Sequence, residues 1–279
     1  MGLGTDLKDE FKKLTKNAKY NEAELFTKLQ DSFIELSCKT TTGYNISLIH
    51  GDRSKVEFAI SNSWISTISC GTRKQCELAD MLFLIYDVKK AECRMFFMQN
   101  KNDERAKSNR FVTNLIQLDL LSNRSVFTDL HNGKNCAILQ RAEVHSITTY
   151  GVFYKDDTAN CYDMKYYSAD LLEPLLSSGR DNERVAVFKG TLGKKRQSRN
   201  LKIEDYEGTE NLVAFGSAIE EIKIGQPIGK CTIKKLCQKF ESLPKELKNL
   251  NIPANNFEME DNFLDTIKSV CCIQVNTSE

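Results

Sequence analysis

Two apolar runs separated by a short charged turn constrain the fold of this chain more than any other feature. The runs are MLFLIYD at residues 81–87 and CRMFFMQ at residues 93–99, and the turn between them reads VKKAE. Short apolar runs bounded by turn residues are typical of strands that are covered on both faces. We therefore predict a β-hairpin in the middle of a sheet rather than at an exposed edge.

The position of the turn predicts which residues of the hairpin face each other. With the turn centred on Lys89 and Lys90, Asp80 lies opposite Gln99, and a shift of two residues places it opposite Lys101. Successive strand residues point to opposite faces, so Gln99 and Lys101 should project to the same side. The hairpin is therefore expected to gather Asp80, Gln99 and Lys101 at one of its ends.

These three side chains are suited to phosphoryl chemistry that depends on a metal. A carboxylate oxygen and an amide oxygen are hard ligands for Mg²⁺ or Mn²⁺. A neighbouring lysine can orient or deprotonate water and stabilise developing negative charge. We therefore predict Asp80 and Gln99 as metal ligands, and Lys101 as a catalytic residue for phosphodiester hydrolysis.

The spacing of apolar residues predicts the elements around the hairpin. An amphipathic helix is expected over residues 21–37, with Leu25, Leu29, Phe33 and Leu36 on one face. A helix is also expected over residues 102–123, with Asn102 or Asp103 as its N-cap. Strands are predicted within segments 44–50, 55–69, 135–157 and 183–193, a polar hairpin turn within 155–167, and helices within 168–179, 232–250 and 261–270.

This order of elements predicts an α/β protein whose core lies within residues 1–150. Residues 151–279 are predicted as a mixed α+β part that continues from the core, and the boundary between the two is left open. Neither an internal repeat nor a low-complexity linker divides the chain.

The pattern Asp80…Gln99-Asn100-Lys101, on a hairpin between two helices, resembles the PD-(D/E)xK nuclease superfamily. That superfamily includes restriction endonucleases, Holliday-junction resolvases and phage-defence effectors, and the resemblance covers about residues 21–125. It implies a restriction-endonuclease-like mixed sheet flanked by helices. It also implies a magnesium-dependent endonuclease that hydrolyses DNA, and a role in defence against foreign DNA is an expectation at the level of the family.

Two residues depart from the family pattern. Ala79 stands where the nominal motif has proline, a position that the superfamily varies freely. Gln99 replaces the usual acid, which removes one negative charge from the expected metal site, although the superfamily includes glutamine variants. A further acid is therefore expected to complete the site.

Several acids are candidates for this additional position. Glu77 precedes Asp80 by three residues and is a candidate catalytic residue. Members of the family often use a glutamate from the first helix, for which Glu24, Asp31 and Glu35 are candidates here. Glu35 is ranked first among these three, because it lies beside the apolar stripe of the predicted helix.

Six basic residues are candidates for contacts with a nucleic-acid backbone. Four lie in the segment GTLGKKRQSRN and two in the predicted helix after the hairpin: Lys194, Lys195, Arg196, Arg199, Lys107 and Arg110. Such side chains bind phosphates without reading sequence. A solvated loop and a plain helix surface are the alternative interpretations.

Composition limits the kinds of surface, metal site and partner that this chain is expected to have. The net charge is +1, so any basic surface must be local. The ten cysteines include no CxxC pair, which favours reduced thiols in a cytoplasmic protein over structural zinc. No apolar run approaches the roughly 20 residues of a membrane helix, and the first residues lack the apolar core of a signal peptide, so no membrane partner is expected.

Two rival functions remain open at this stage. The chain could be a non-catalytic nuclease-fold partner or regulatory subunit. Alternatively, it could be a latent nuclease that is activated by oligomerisation or by a signal sensed by residues 150–279. DNA, a second copy of the chain and a partner protein of a defence system are the expected partners.

Overall fold

The computed structural model describes most of the chain. The described residues are 2–38, 44–50, 55–61, 72–102, 111–156, 158–172, 185–187, 200–203, 211–253, 257–258 and 261–275. The helices are α1 Leu3–Thr15, α2 Glu22–Ser37, α3 Leu115–Ser122, α4 Ile138–Arg141, α5 Leu212–Glu220, α6 Lys230–Lys239 and α7 Lys245–Lys248, with 3₁₀ turns at His145–Ile147, Ala169–Leu172 and Asp261–Thr266. The strands are β1 Tyr44–His50, β2 Lys55–Ala59, β3 Arg73–Glu77, β4 Met81–Asp87, β5 Glu92–Asn102, β6 Phe111–Asn114, β7 Phe127–Asp129, β8 Asn135–Cys136, β9 Thr148–Asp156, β10 Cys161–Ser168, β11 Val185–Val187, β12 Asn200–Ile203, β13 Gln226–Pro227 and β14 Ser269–Val275.

A mixed sheet of seven strands forms the centre of the protein. Its order is β1-β14-β4-β5-β9-β10, and β13 also pairs with β5. The β4–β5 pair is antiparallel, whereas β14 is parallel to β4 and β9 is parallel to β5. Two smaller sheets have the orders β11-β12-β6 and β3-β2-β7-β8. The predicted mixed α/β architecture, with helices on a central mixed sheet, is confirmed.

The hairpin has the predicted register. Met81 faces Met98, and Asp87 faces Glu92 beside the turn. The Asp87 carboxylate accepts hydrogen bonds from the backbone N–H groups of Lys89 and Lys90, which stabilises the turn.

Strand alternation divides the apolar side chains of the hairpin between two cores. Phe83 and Phe96 stack with their ring centroids 4.6 Å apart, in the core that also contains residues of α1, α2 and α5. Leu84 and Phe97 point to the opposite core, with residues of α3, α6 and α7. Burial on both faces explains why these strands are apolar at nearly every position.

Helix α2 lies where the spacing of apolar residues predicts it. Its N-cap is Asn21, whose side chain accepts a hydrogen bond from the backbone of Glu24, while the Glu24 carboxylate accepts one from the Asn21 backbone. This reciprocal capping box satisfies two backbone donors at the start of the helix. The four apolar residues predicted to share one face are all buried.

The helix after the hairpin begins later than predicted. Among the described residues, β6 occupies 111–114 and α3 begins at Leu115. The Asn114 side chain accepts hydrogen bonds from the backbone N–H groups of Ile116 and Gln117, so it is the N-cap. Asn102 instead belongs to β5, and Asp103 lies outside the described residues.

The predicted helix over residues 261–270 is wrong in its second half. A 3₁₀ turn ends at Thr266, and β14 then inserts between β1 and β4. Its sequence, SVCCIQV, is almost entirely buried, which is typical of an interior parallel strand. The predicted boundary at residue 150 falls within β9, so strands from both sides of that boundary share one sheet.

Other predictions are met in part. Segment 135–157 contains β8, α4 and a 3₁₀ turn before β9, and segment 168–179 is described only as far as residue 172. The polar turn between β9 and β10 is confirmed, since the Asp156 carboxylate accepts hydrogen bonds from the backbone of Thr158 and Ala159. Within the described ranges, no helix is both long and apolar enough to cross a membrane.

Candidate functional site

Asp80 and Gln99 meet at the end of the central hairpin. The backbone N–H of Asp80 donates to the Met98 carbonyl at 3.1 Å, which extends the β4–β5 pairing by one residue. One carboxylate oxygen of Asp80, Oδ2, accepts from Gln99 Nε2 at 2.7 Å and from the Asn100 backbone N–H at 2.8 Å. The Asp80 residue is only 8% exposed, so these contacts lie in a largely dehydrated environment.

The Gln99 amide turns its nitrogen, not its oxygen, towards Asp80. Gln117 of α3 donates from Nε2 to the Glu77 backbone carbonyl at 3.0 Å, and this carbonyl can only accept. The same Nε2 also donates to Gln99 Oε1, so the nitrogen of Gln99 is left to face the carboxylate. This arrangement differs from the predicted one, in which Gln99 presents a second ligand oxygen beside Asp80.

A lysine from the C-terminal part of the chain neutralises the other oxygen of Asp80. Lys268 Nζ lies 3.2 Å from Asp80 Oδ1 and 3.7 Å from Glu77 Oε2. The parallel pairing of Val270 with Leu82 brings the residues just before β14 beside those just before β4. The Ser269 hydroxyl donates to the Asp80 backbone carbonyl at 2.8 Å, which further fixes this junction.

Lys101 reaches the same region through a different acid. Its Nζ lies 3.0 Å from Oε1 of Glu22, and its side chain is 12% exposed. Glu22 is the first residue of α2, where the helix dipole favours a carboxylate. Lys101 is thus joined to Glu22, whereas Gln99 is joined to Asp80 and to α3.

Glu22, Asp80 and Lys268 face one cleft between α2 and the strand ends. The cleft has a volume of about 290 Å³. Its lining consists of Glu22, Ala23, Phe26, Thr27, Gln30, Asp80, Lys268 and Ser269. The cleft therefore brings the start of α2, the start of β4 and the start of β14 to a shared polar surface.

Tyr150 lies beneath this polar surface, opposite Gln99 in the register of β5 and β9. Burial raises the pKa of its hydroxyl more than a hydrogen bond from Thr113 lowers it, and the nearby carboxylates of Asp80 and Glu22 raise it slightly further. Tyr150 is therefore a neutral phenol at physiological pH, so it cannot act there as a base.

The acids predicted to complete the site have different positions. Glu77 is part of the Lys268 ion-pair cluster. Glu35 is exposed in the last turn of α2, about 20 Å along the helix axis from Glu22. The other two candidates have local roles, because Glu24 belongs to the capping box and Asp31 lies 3.2 Å from Lys28. Helix α2 therefore offers Glu22 to the cleft, and not Glu35, the acid that was ranked first.

Three residues at the site were not singled out from the sequence. Glu22 follows the N-cap of a predicted helix, but the pattern does not indicate which end of that helix meets the sheet. Lys268 was assigned to a helix, so its position before a strand was missed. Gln117 lies in the first turn of α3, a helix that was predicted to begin near residue 102 and begins at Leu115.

The six basic residues predicted to contact a nucleic-acid backbone lie outside the described residues: Lys107, Arg110, Lys194, Lys195, Arg196 and Arg199. Within the described part of the chain, no group of three or more His, Cys, Asp or Glu side chains is arranged to hold a metal ion.

Comparison of the chain with protein-family models, with curated proteins and with solved structures found no match. Support for a function therefore comes from the residues around the cleft.

Proposed function

We propose that this protein is a Mg²⁺- or Mn²⁺-dependent endonuclease of the PD-(D/E)xK type that hydrolyses DNA phosphodiester bonds. The convergence of two carboxylates, Asp80 and Glu22, on one cleft at the end of a buried central hairpin carries the proposal. Lys101 follows Gln99 by two residues and pairs with Glu22, an acid from the first turn of α2. This combination matches the family expectation of an aspartate, a (D/E/Q)xK strand and a glutamate from the preceding helix.

The oxygen donors at the cleft fit a hard divalent cation. Asp80 and Glu22 both line it, and Asp80 Oδ1 already pairs with an ammonium group, which identifies that oxygen as a position that favours positive charge. Magnesium commonly uses one or two protein carboxylates and completes its shell with water and substrate phosphate. Asp80 and Glu22 would hold the ion, and the bound ion would supply Lewis-acid stabilisation of charge on the phosphate and increase the acidity of water.

The surrounding residues have separate roles in this proposal. Gln99 Nε2 and the Asn100 backbone N–H hold the Asp80 carboxylate in a single orientation. Lys101 carries the positive charge that orients the attacking water or stabilises the negative charge of the phosphate in the transition state. Lys268 lies 3.2 Å from Asp80 Oδ1, so it is the group that a bound cation would replace there, and its ammonium group would then be available to a phosphate oxygen.

Plasmid cleavage tests the proposal directly. Supercoiled DNA is incubated with the wild type, Asp80→Ala, Lys101→Ala and the control Lys90→Ala in Mg²⁺ or Mn²⁺. Lys90 is an exposed turn residue at the other end of the hairpin, so its substitution should leave cleavage unchanged. We expect at least a hundredfold loss in both site variants, because each removes a group that acts on the transition state. Equal cleavage by the wild type and Lys101→Ala would contradict the assignment.

A second candidate function is a non-catalytic nuclease-fold subunit. It is favoured by the orientation of Gln99 and by Lys268, which together satisfy Asp80 without an added ion. Calorimetric titration with Mn²⁺ distinguishes the two functions. Binding that disappears in Asp80→Ala supports the enzyme, whereas a wild type that binds no ion supports the non-catalytic role.

A further inference from the structure

One face of α2 contributes groups to the cleft that hydrolysis does not require. Phe26 and Thr27 each lie three or four residues after Ala23 and three or four residues before Gln30, so all four share one side of the helix. They form the wall that faces Asp80 and Lys268. Two of them, Phe26 and Gln30, have chemistry that points to a ligand.

Gln30 lines the cleft with an unused amide. The residue is 9% exposed, and its side chain forms no hydrogen bond with any residue in the described ranges. The amide atoms keep contact with the solvent of the cleft, since the fully enclosed unpaired side-chain atoms of the described residues belong to Asn100, Asn102 and Asp170. Water in the cleft therefore satisfies the amide, and a ligand that enters can replace this water. The amide offers both a donor and an acceptor to a molecule that enters the cleft.

Phe26 provides an aromatic surface one helical turn before Gln30. Its ring is partly buried and lies 5.9 Å from Lys268 Nζ, measured to the ring centroid. Aromatic side chains stack on nucleobases whatever the sequence, and each stacked base contributes about 1–3 kcal/mol. A glutamine amide can pair with the polar edge of the same base.

The size and charge of the cleft indicate how much of a nucleic acid it accepts. A volume of about 290 Å³ lies at the lower end of the range for ligand pockets, which suits a single nucleotide better than a base pair. Lys268 lies beside Phe26 and pairs with Asp80 and Glu77. In the proposed function, a cation held by Asp80 would free this ammonium group for the phosphate of the nucleotide. A base inside a duplex is stacked and paired, so it must be unpaired or flipped out to enter.

We propose that the cleft binds one unpaired nucleotide next to the bond that is cleaved. Its base lies against Phe26 and pairs with Gln30, and its phosphate points to Lys268. This inference rests on the proposed nuclease function for its substrate, but binding can be measured without cleavage. A cleft of this kind predicts that single strands, flaps and bubbles are better substrates than a perfect duplex.

The test uses fluorescence anisotropy with a labelled single-stranded DNA 12-mer in Ca²⁺, with strand integrity checked on a gel. A duplex and a fully abasic strand of equal length serve as the comparison ligands. The proteins are the wild type, Gln30→Leu, Phe26→Leu and the matched control Gln75→Leu, whose glutamine is exposed on β3. We expect each cleft variant to raise the Kd for the single strand roughly tenfold, and the control to leave it unchanged. Neither cleft variant should change the Kd for the abasic strand.

The outcomes separate this inference from the proposed function. If Gln30→Leu and Phe26→Leu bind the single strand as the wild type does, the nucleotide cleft is wrong, while metal-dependent cleavage that requires Lys101 can still stand. If the wild type binds bases through Gln30 but cleaves no DNA, the nuclease proposal fails and the cleft remains a nucleotide site. Thermal unfolding checks the folding of the variants. Gln30→Leu should leave the Tm nearly unchanged, because the Gln30 amide is open to the cleft and forms no hydrogen bond with the described residues.

Discussion

The substitution Lys268→Met removes the positive charge beside Asp80 and keeps a side chain of similar length. In the wild type, Nζ lies 3.2 Å from Asp80 Oδ1 and 3.7 Å from Glu77 Oε2. Removing one partner of a fully buried pair typically destabilises a protein by about 3–5 kcal/mol, whereas exposed pairs contribute about 0–1 kcal/mol. The Lys268 side chain is 23% exposed, and Asp80 keeps two other hydrogen bonds. We therefore expect the free energy of unfolding to fall by about 2 kcal/mol in metal-free buffer.

The same substitution should strengthen binding of a divalent cation. In the wild type, a cation that binds Asp80 must first displace the ammonium group, whereas in Lys268→Met it meets an uncompensated carboxylate. A difference of about 2 kcal/mol corresponds to a roughly thirtyfold lower Kd for Mn²⁺. Saturating Mn²⁺ should also restore much of the lost stability, because the ion binds only the folded state.

Urea denaturation with and without Mn²⁺, together with isothermal titration calorimetry, measures both effects. Lys90→Met is the matched control, since it changes the same residue type at the exposed turn of the hairpin. Unchanged stability in metal-free buffer, combined with unchanged affinity for Mn²⁺, would refute the idea that Lys268 acts as an internal counter-ion of the site.

Two further predictions concern the rest of the fold. Gly216→Ala should destabilise the protein by more than about 3 kcal/mol, because its Cβ would lie 2.4 Å from the Gly4 Cα where α5 crosses α1, and urea denaturation measures this loss. Among the described thiols, the exposed Cys38 and Cys231 should react rapidly with a disulfide reagent at pH 8, as mass spectrometry of labelled peptides would report. Cys76 should react only after unfolding, because burial, with smaller effects of Glu77 and Asp119, raises its pKa to about 12; labelling of native protein at this position would contradict the reasoning.

Features that depend on neighbouring residues could be predicted from the sequence. The hairpin register follows from a short turn and two apolar runs. The position of Asp80 opposite Gln99 could therefore be predicted from the sequence. The spacing of four apolar residues was enough to locate α2, because one continuous face of that helix is buried.

Features that depend on distant partners could not be predicted. The orientation of the Gln99 amide is set by Gln117 and by the backbone carbonyl of Glu77. The sequence around Gln99 contains no signal for either contact. Lys268 reaches Asp80 only because β14 pairs with β4, and no local signal indicates which strands of a sheet become neighbours. The choice of Glu22 over Glu35 depends on which end of α2 meets the sheet, which is a property of the tertiary packing.

The insertion of β14 between β1 and β4 has a consequence for biosynthesis. During translation, β4 emerges from the ribosome long before its parallel neighbour, and the pairing of Lys268 with Asp80 spans a separation of 188 residues. Until β14 arrives, one side of β4 presents unpaired backbone groups and apolar side chains, a state that promotes aggregation. Closure of the sheet and pairing of Lys268 with Asp80 and Glu77 are therefore expected to be late and slow events, completed only after Ser269–Val275 have been made.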